Sequence, residues 1–378
     1  MVNFANLIKQ VYKRGLRLGV VALCCVALSL GLSAAWWDGG QPQRESSLPP
    51  GNAITDGKAL LRYALPIQDT NIRDVQKLLE GINSGVRNRR WSAASSDLSK
   101  VGTILRLRAD EILESFAPDR QPRAETLLEQ LRTEISDLQG ALETQNRTLI
   151  EEQQGQALAT VGQLEALMVT EFPFAVPAEY ANLPQLKGRA TLKMETEKGT
   201  LIFVVDGYNA PVTAGNFVDL VQRGFYDGLS FIRSEESYVL QAGDPPGPEA
   251  GFIDPGTGAY RNIPLEIMVK GDPEPTYGIT LEEAGRYKDQ PVLPFSAYGT
   301  VAMARPESDP DGGSSQFFFF LFEPELTPAG LNLLDGRYSV FGYVTEGTDV
   351  LEQLKQGDTI LSLKVVEGAD NLVQPSKT

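Results

Sequence analysis

The sequence predicts two domains of different class, a helical bundle followed by a closed antiparallel β-barrel capped by helices. Two observations predict this order. From about residue 53 to residue 170, apolar residues recur at intervals of three and four, the period of an amphipathic helix. From about residue 186 onward, short apolar or alternating runs separated by turn residues indicate many short strands and few helices. A length of 378 residues, 42% of them hydrophobic, is sufficient for two cores.

The first 35 residues are typical of a secretory signal peptide. Basic residues and no acidic ones come first, and an apolar run covers residues 18–32. Small residues at Ser33 and Ala35 suit cleavage before Trp36. An uncleaved anchor is the alternative, because the run extended through Trp36 approaches the ~20 residues of a spanning helix. We expect export by a Sec-type signal, residues 1–35.

Residues 36–52, rich in Gly, Pro and Ser, are predicted to be a flexible linker before a bundle at 53–170. Five apolar residues spaced 3, 4, 3 and 4 apart form a heptad seam: Leu128, Leu131, Ile135, Leu138 and Leu142. The predicted helices lie near residues 53–65, 71–84, 90–117, 122–145 and 147–169. Two interpretations of the seam remain open, a bundle packed on itself or a face that binds a second chain.

The segment RNRRW, residues 87–91, is a basic cluster in an otherwise acidic chain. It is predicted to be either a solvated face that interacts with helix charges or a docking site for an acidic partner.

Composition excludes several classes of function. The net charge is −15, which argues against nucleic acid or anionic lipid as the main partner. The chain has no histidine, and its two cysteines, Cys24 and Cys25, are adjacent, so neither histidine-based catalysis nor a cysteine metal site is expected. The sequence also lacks the GxSxG and GxxxxGK(S/T) motifs and a GxGxxG that begins a helix. We expect no metal and no cofactor.

Pro173, Pro177 and Pro184 mark a second linker, residues 171–185. The segments RATLKMET (189–196) and LIFVV (201–205) read as strands, and Pro211 begins a helix that ends near Gly224. Further strands are predicted near residues 229–233, 237–243, 263–268, 299–304, 314–321, 338–344 and 358–367, with a helix at 347–356.

Three segments of this region resemble cyclophilin peptidyl-prolyl cis-trans isomerases, in the family's order. They are APVTAGNFVDLVQRGFYDGLSFIRSEESYVLQAGDP, GTVAMARPESDPDGGSSQFFFF and LDGRYSVFGYVTEGTDVLEQL. The resemblance covers residues 186–370 and leaves a tail at 371–378. It implies an eight-stranded barrel, proline-containing polypeptides as substrates and isomerase activity without a cofactor.

The export signal, the helical region, the acidity and the long loop at 269–295 also resemble the large cyclophilins of the thylakoid lumen. That resemblance implies the thylakoid lumen as the location, with a periplasm as the alternative. It also implies photosystem II subunits as partners, bound through the helical domain.

The resemblance assigns site residues one at a time. Arg233 matches the catalytic arginine and Gln241 the glutamine that orients it. The substrate-binding positions are Tyr238, Val239, Met303, Ala304, Arg305, Gln316, Phe318, Leu333, Leu334 and Tyr338. Five of these positions differ from the family's usual residue. Tyr238 replaces phenylalanine, Val239 replaces methionine, Arg305 replaces asparagine, Leu333 replaces tryptophan and Tyr338 replaces histidine.

The site combines residues that match the family with residues that differ from it, and two functions are therefore possible. The retained residues favour an isomerase that assists folding of exported proteins, with weak or autoinhibited activity. The changed residues favour a cyclophilin-like scaffold that binds proline-containing loops of membrane-complex subunits and turns over poorly.

The segment GGSSQFFFFLF, residues 312–322, is predicted to be a strand with two different faces. Gln316, Phe318 and Phe320 should face outward, with Phe318 under the substrate proline, whereas Phe317 and Phe319 should fill the barrel. We expect a helix or the N-terminal bundle to cover Phe320.

Overall fold

The computed structural model describes residues 54–235, 238–322 and 332–375. The predicted signal peptide and the predicted linker at 36–52 lie outside the described residues. The helices and the sheet described below belong to one unit. No described helix combines the length and the apolar character that a membrane-spanning segment requires.

Helices form the N-terminal part of the described chain. They are α1 (Gly57–Tyr63), α2 (Thr70–Arg87), α3 (Trp91–Leu107), α4 (Ala109–Glu114), α5 (Gln121–Thr144) and α6 (Arg147–Met168). Side-chain oxygens cap three of the starts. Asp56 accepts the Lys58 N–H at 2.7 Å, Asp69 accepts the Ile72 N–H at 2.8 Å, and Asn146 accepts the Leu149 N–H at 3.2 Å. The helix predicted near 90–117 is divided into α3 and α4.

Helices α2 to α6 pack around one apolar core, which contains all five residues of the heptad seam. Two contacts fix the antiparallel pairing of α2 with α6. Gln154 Nε2 donates to the Leu79 carbonyl at 2.6 Å, and Arg73 Nη1 lies 3.0 Å from Glu165 Oε1. The seam is thus buried within this chain, as the interpretation of a bundle packed on itself requires.

Helix α1 packs on the sheet rather than in the bundle core. Its Leu60 and Leu61 belong to an apolar cluster on the outer face of the sheet, called here the outer cluster, together with Phe320 and Tyr343. A Cβ on Gly57 would lie 2.8 Å from Tyr343 Cβ, so the approach requires glycine.

Polar contacts tie the end of α1 to the same sheet. Asn209 Nδ2 donates to the Ala64 carbonyl at 3.0 Å, and the Arg189 guanidinium donates to the Leu61 carbonyl. These contacts satisfy carbonyls at the C-terminal end of the helix.

The second part of the chain is a largely antiparallel β structure. Its strands are β1 (Gln185–Leu186), β2 (Arg189–Thr196), β3 (Gly199–Asp206), β4 (Arg233–Glu235), β5 (Val239–Ala242), β6 (Glu266–Ile267), β7 (Thr276–Tyr277), β8 (Thr300–Met303), β9 (Phe317–Phe320), β10 (Val340–Glu346), β11 (Ile360–Glu367) and β12 (Leu372–Val373). Eight of them form one sheet in the order β11-β2-β3-β10-β8-β9-β5-β4, with two smaller pairs, β1-β12 and β6-β7.

This sheet is an open half-barrel, so the prediction of a closed barrel is wrong. Its edge strands β4 and β11 do not pair with each other in a ladder of hydrogen bonds. One isolated bridge, between Ser230 and Thr359, lies in the residues that precede these two strands. Strand β4 has three residues and starts beyond this bridge, so the pairing does not continue along the two edges.

Helix α7 (Pro211–Gln222) packs its apolar side chains into the interior core of the half-barrel, where the Phe217 ring lies 4.9 Å from the Phe317 ring between centroids. A shorter helix, α8 (Thr348–Leu351), lies within the predicted range 347–356.

Strand β9 has the two faces that alternation predicts. Phe317 and Phe319 lie in the interior core, and Phe318 and Phe320 lie in the outer cluster. Phe320 is buried, and the Phe295 ring meets it edge-on at 5.3 Å between centroids. Helix α1 contributes Leu60 and Leu61 to the same cluster, so cover of Phe320 itself by a helix stays a prediction.

Candidate functional site

The sheet register aligns the predicted catalytic residue with the predicted pocket floor. Arg233 on β4 pairs with Gln241 on β5, Gln241 with Phe318 on β9, and Phe318 with Ala302 on β8. Directly paired residues of antiparallel strands project from the same face. One row across four strands therefore places a guanidinium, an amide and an aromatic ring on the outer face of the sheet.

Arg233 makes its ion pair within its own strand. Its side chain is 53% exposed, its Nε donates to Glu235 Oε1 at 2.7 Å, and its Nη2 contacts the same oxygen. Glu235 follows two residues later, so both side chains project from one face. The pair leaves Nη1 to turn toward a bound peptide.

Gln241 begins a chain of amide hydrogen bonds. Its Nε2 donates to Gln316 Oε1 at 2.7 Å, and Gln316 Nε2 donates to Asp244 Oδ1 at 3.0 Å. Gln316 thus anchors Gln241, whereas Glu235 holds Arg233. The role of Gln241 as the residue that orients Arg233 stays a prediction, with its amide partner now identified.

Phe318 lies between two other aromatic rings. The Phe295 ring stacks on it at 6.0 Å between centroids and 8° between planes, and Tyr338 meets it edge-on at 5.5 Å. Phe318 is only 5% exposed. Ala304 and Leu334 pack against the same outer cluster. The apolar side chains around Phe318 are called here the candidate pocket.

Arg305 lies at the rim of this pocket. Its guanidinium is 5.2 Å from the centroid of the Tyr338 ring, and its Nε and Nη2 donate to the Arg337 carbonyl at 3.0 and 2.7 Å. Its Nη1 donates to the Pro306 carbonyl at 2.8 Å. Arg305 therefore holds the two loops that frame the pocket.

Four predicted residues lie outside this pocket. Met303 pairs with Phe317 and is buried in the interior core. Leu333 is 89% exposed. Val239 pairs with Phe320 in the next row of the sheet, and Tyr238 touches Phe320 at 5.7 Å between ring centroids.

Sequence reasoning missed Phe295 as the ring behind the pocket floor. It lies in the long loop between β7 and β8, where no periodicity indicates burial. The sequence does contain a signal of burial there, the three apolar residues Val292, Leu293 and Phe295 close together in a loop. A fully solvent-exposed loop rarely contains three apolar residues in so short a stretch. Phe295 is held by Asp335, which accepts its N–H at 2.8 Å.

Buried carboxyl groups lie beneath the pocket. Glu266 lines a small cavity with Phe295, Asp335 and Tyr338. Its two oxygens accept the N–H groups of Val212 at 3.1 Å and Thr213 at 2.8 Å, at the start of α7. Burial raises the pKa of Glu266 to about 7, against the opposing effect of these two N–H groups. Burial likewise raises the pKa of Asp335 to about 6.

We expect titration of Glu266 to lower the free energy of unfolding as the pH rises. The unfolded carboxyl, with a pKa of 4.5, loses its proton before the folded one, with a pKa of about 7. The folded state therefore binds more protons between these values, and the free energy of unfolding falls on the order of 3 kcal/mol across that interval. Chemical unfolding of the wild type and of Glu266→Gln, at several pH values, measures this effect.

The difference between the two proteins is the readout, because other titrating groups contribute equally to both. Glutamine deprives one N–H of its acceptor at every pH, which adds a constant offset. A difference that does not change between about pH 4.5 and about pH 7 would show that Glu266 titrates in its usual range.

The row can stabilise a twisted prolyl bond. A planar peptide bond resists rotation by roughly 18–20 kcal/mol because the nitrogen lone pair is delocalised. An apolar pocket at Phe318 can hold the proline ring while Arg233 donates to the nitrogen as its lone pair localises. Such donation favours the twisted state over both planar states. Arginine suits this role because it stays charged and presents fixed donors.

Comparison with known proteins agrees with this geometry. The family model "Cyclophilin type peptidyl-prolyl cis-trans isomerase/CLD" matches residues 191–371, and "Peptidyl-prolyl cis-trans isomerase CYP38-like, PsbQ-like domain" matches residues 56–169. The second match begins one residue before α1 and ends one residue after α6, so it covers α1 to α6.

Full-length relatives share both regions. A protein of Synechocystis sp. named as a thylakoid lumen peptidyl-prolyl cis-trans isomerase is 56% identical over 96% of this chain and 96% of its own. The chloroplastic isomerase CYP38 of Arabidopsis thaliana is 47% identical over 88% of this chain and 78% of its own. The match to both over nearly all of this chain, together with the row from Arg233 to Phe318, shows that the chain belongs to the cyclophilin-type peptidyl-prolyl cis-trans isomerases.

Proposed function

We propose that this protein isomerises X-Pro bonds of polypeptides in the thylakoid lumen, including lumenal segments of photosystem II subunits. Family membership supports the reaction, and the names of the two relatives support the compartment. The observation that carries the proposal is the row of Arg233, Gln241 and Phe318 on one face of the sheet. These are the donor and the apolar floor that the reaction needs.

A second function has its own support. The ion pair between Arg233 and Glu235 occupies part of the donor set, and Leu333, Arg305 and Tyr338 depart from the family at the rim. A scaffold that binds proline-containing loops with little turnover would retain the pocket and tolerate this ion pair.

We expect weak but measurable isomerase activity. The assay follows cis-trans exchange of a short Ala-Pro peptide by NMR, with a protein that lacks only residues 1–35. Helix α1 must be kept, since its Gly57 lies against Tyr343 and its Leu60 and Leu61 belong to the outer cluster. Exchange no faster than in buffer would contradict the isomerase and leave the scaffold.

The photosystem role is tested in a Synechocystis strain that lacks its 56%-identical relative. Assembled photosystem II is measured after expression of the wild-type chain or of Arg233→Ala. Restoration by the wild type alone supports isomerisation as the role, and restoration by both supports the scaffold. Normal photosystem II in the deleted strain, or restoration by neither protein, contradicts the photosystem role.

A further inference from the structure

One end of the helical bundle carries four exposed arginines from two separate turns. Arg87 is the last residue of α2, Arg89 and Arg90 lie in the turn that follows it, and Arg147 is the first residue of α6. We call these four side chains the arginine end. None of them takes part in catalysis, and the proposed function does not use them.

The pairing of α2 with α6 brings the two turns together. Arg73 contacts Glu165, and Leu79 accepts from Gln154, so moving along α2 toward its C-terminus corresponds to moving along α6 toward its N-terminus. Continued to the end of α2, this antiparallel pairing places Arg87 beside Arg147. The four arginines therefore form one surface.

Internal carboxylates do not neutralise this surface. In the described part of the chain, no ion pair or side-chain hydrogen bond involves any of the four guanidinium groups. The nearest acidic residues in sequence are Glu143 on α5 and Glu151 and Glu152 on α6, about one helical turn from the arginine end. Four unpaired arginines stand out in a chain with a net charge of −15.

Backbone hydrogen bonds close the turn that presents Arg89 and Arg90. The Asn88 N–H donates to the Ser84 carbonyl at 3.1 Å, and the Arg90 N–H donates to the Gly85 carbonyl at 2.8 Å. Arg89 has a φ of 57°, in the left-handed region where glycine or asparagine is usual. These backbone bonds fix the positions from which the Arg89 and Arg90 side chains leave the turn.

We propose that the arginine end is a docking site for an acidic segment of a partner polypeptide. Arginine suits carboxylate partners, because its planar group donates two parallel hydrogen bonds to one carboxylate. An anionic membrane is less well matched, since interfacial binding also uses exposed apolar side chains. The large apolar side chains nearest this end, Val86 and Trp91, are buried or half-buried.

The test measures binding of a fluorescent twelve-residue Glu-rich peptide by anisotropy, at low salt and at about 0.15 M salt. The triple variant Arg87→Gln, Arg89→Gln, Arg90→Gln is expected to bind at least tenfold more weakly than the wild type. The single variant Arg147→Gln, on the other turn, should weaken binding about two- to threefold. Isomerase activity on the Ala-Pro peptide should not change in either variant.

The matched control removes three positive charges elsewhere, as Lys77→Gln, Arg106→Gln, Lys364→Gln, all at exposed positions. It should bind the peptide within twofold of the wild type. Equal weakening in the control, or no effect of the first triple variant, would overturn the proposal. Tighter binding to phosphatidylglycerol vesicles than to the peptide would replace the polypeptide with a membrane and would also overturn it.

Discussion

Replacing Arg233 with alanine is expected to lower kcat/KM on an Ala-Pro peptide by about 10²–10³-fold, the usual cost of removing one donor aimed at developing charge. The guanidinium is the cation in the row that contains Phe318, and no second cation stands in that row to replace it. Because the side chain is 53% exposed and its ion pair lies within one strand, the fold should lose little stability. NMR exchange measures the rate, and thermal unfolding measures the stability.

Two variants make this result specific. Arg233→Lys keeps the charge but loses the planar donor array, so it should restore little of the activity. Glu235→Gln removes the ion-pair partner and should keep at least the wild-type rate. Full activity of Arg233→Lys would show that charge alone is sufficient. Full activity of Arg233→Ala would remove Arg233 from the mechanism.

Local patterns predicted most of the fold. The interval of three and four between apolar residues gave the helices, because one helical face must be buried. Strict alternation gave the two faces of β9, where Phe317 and Phe318 lie in different clusters. Both features are determined by residues close to one another in sequence, so local patterns are sufficient to predict them.

Features that depend on distant contacts were missed. Helix α1 has the helical period, yet periodicity does not say which surface the helix packs on, and its Leu61 lies against the sheet. The open edge between β4 and β11 depends on where strands begin, which patterns place only to within a few residues. The resemblance assigned Met303 to the substrate-binding pocket, although its pairing with Phe317 places it in the interior core of the half-barrel.

The candidate site was predicted as a set of residues rather than as a geometry. Motifs indicated Arg233, Gln241 and Phe318, and the register then showed that they share one row. The ion pair of Arg233 with Glu235 joins residues two apart on one strand, so it depends on neighbours in sequence. The stacking of Phe295 was not foreseen, because an inserted loop has no counterpart in the motifs that carry the resemblance.

Phe318→Ala is expected to impair both the fold and the binding of peptides. The ring is 5% exposed and contacts Phe295 and Tyr338, so its loss should cost about 3–5 kcal/mol of unfolding free energy. The burial indicates a larger effect on the fold than a pocket residue alone would have. The KM for the Ala-Pro peptide should also rise at least tenfold, because the proline ring loses its apolar floor.

Phe320→Ala separates the two effects. Phe320 lies on the same strand and the same face, is 3% exposed and belongs to the same outer cluster, but its row contains Val239 rather than Gln241. We expect it to lose as much stability as Phe318→Ala while its KM stays within about threefold of the wild type. Both variants are assayed at a temperature at which chemical unfolding shows them folded. Equal increases in KM would mean that the outer cluster as a whole, rather than Phe318, forms the proline pocket.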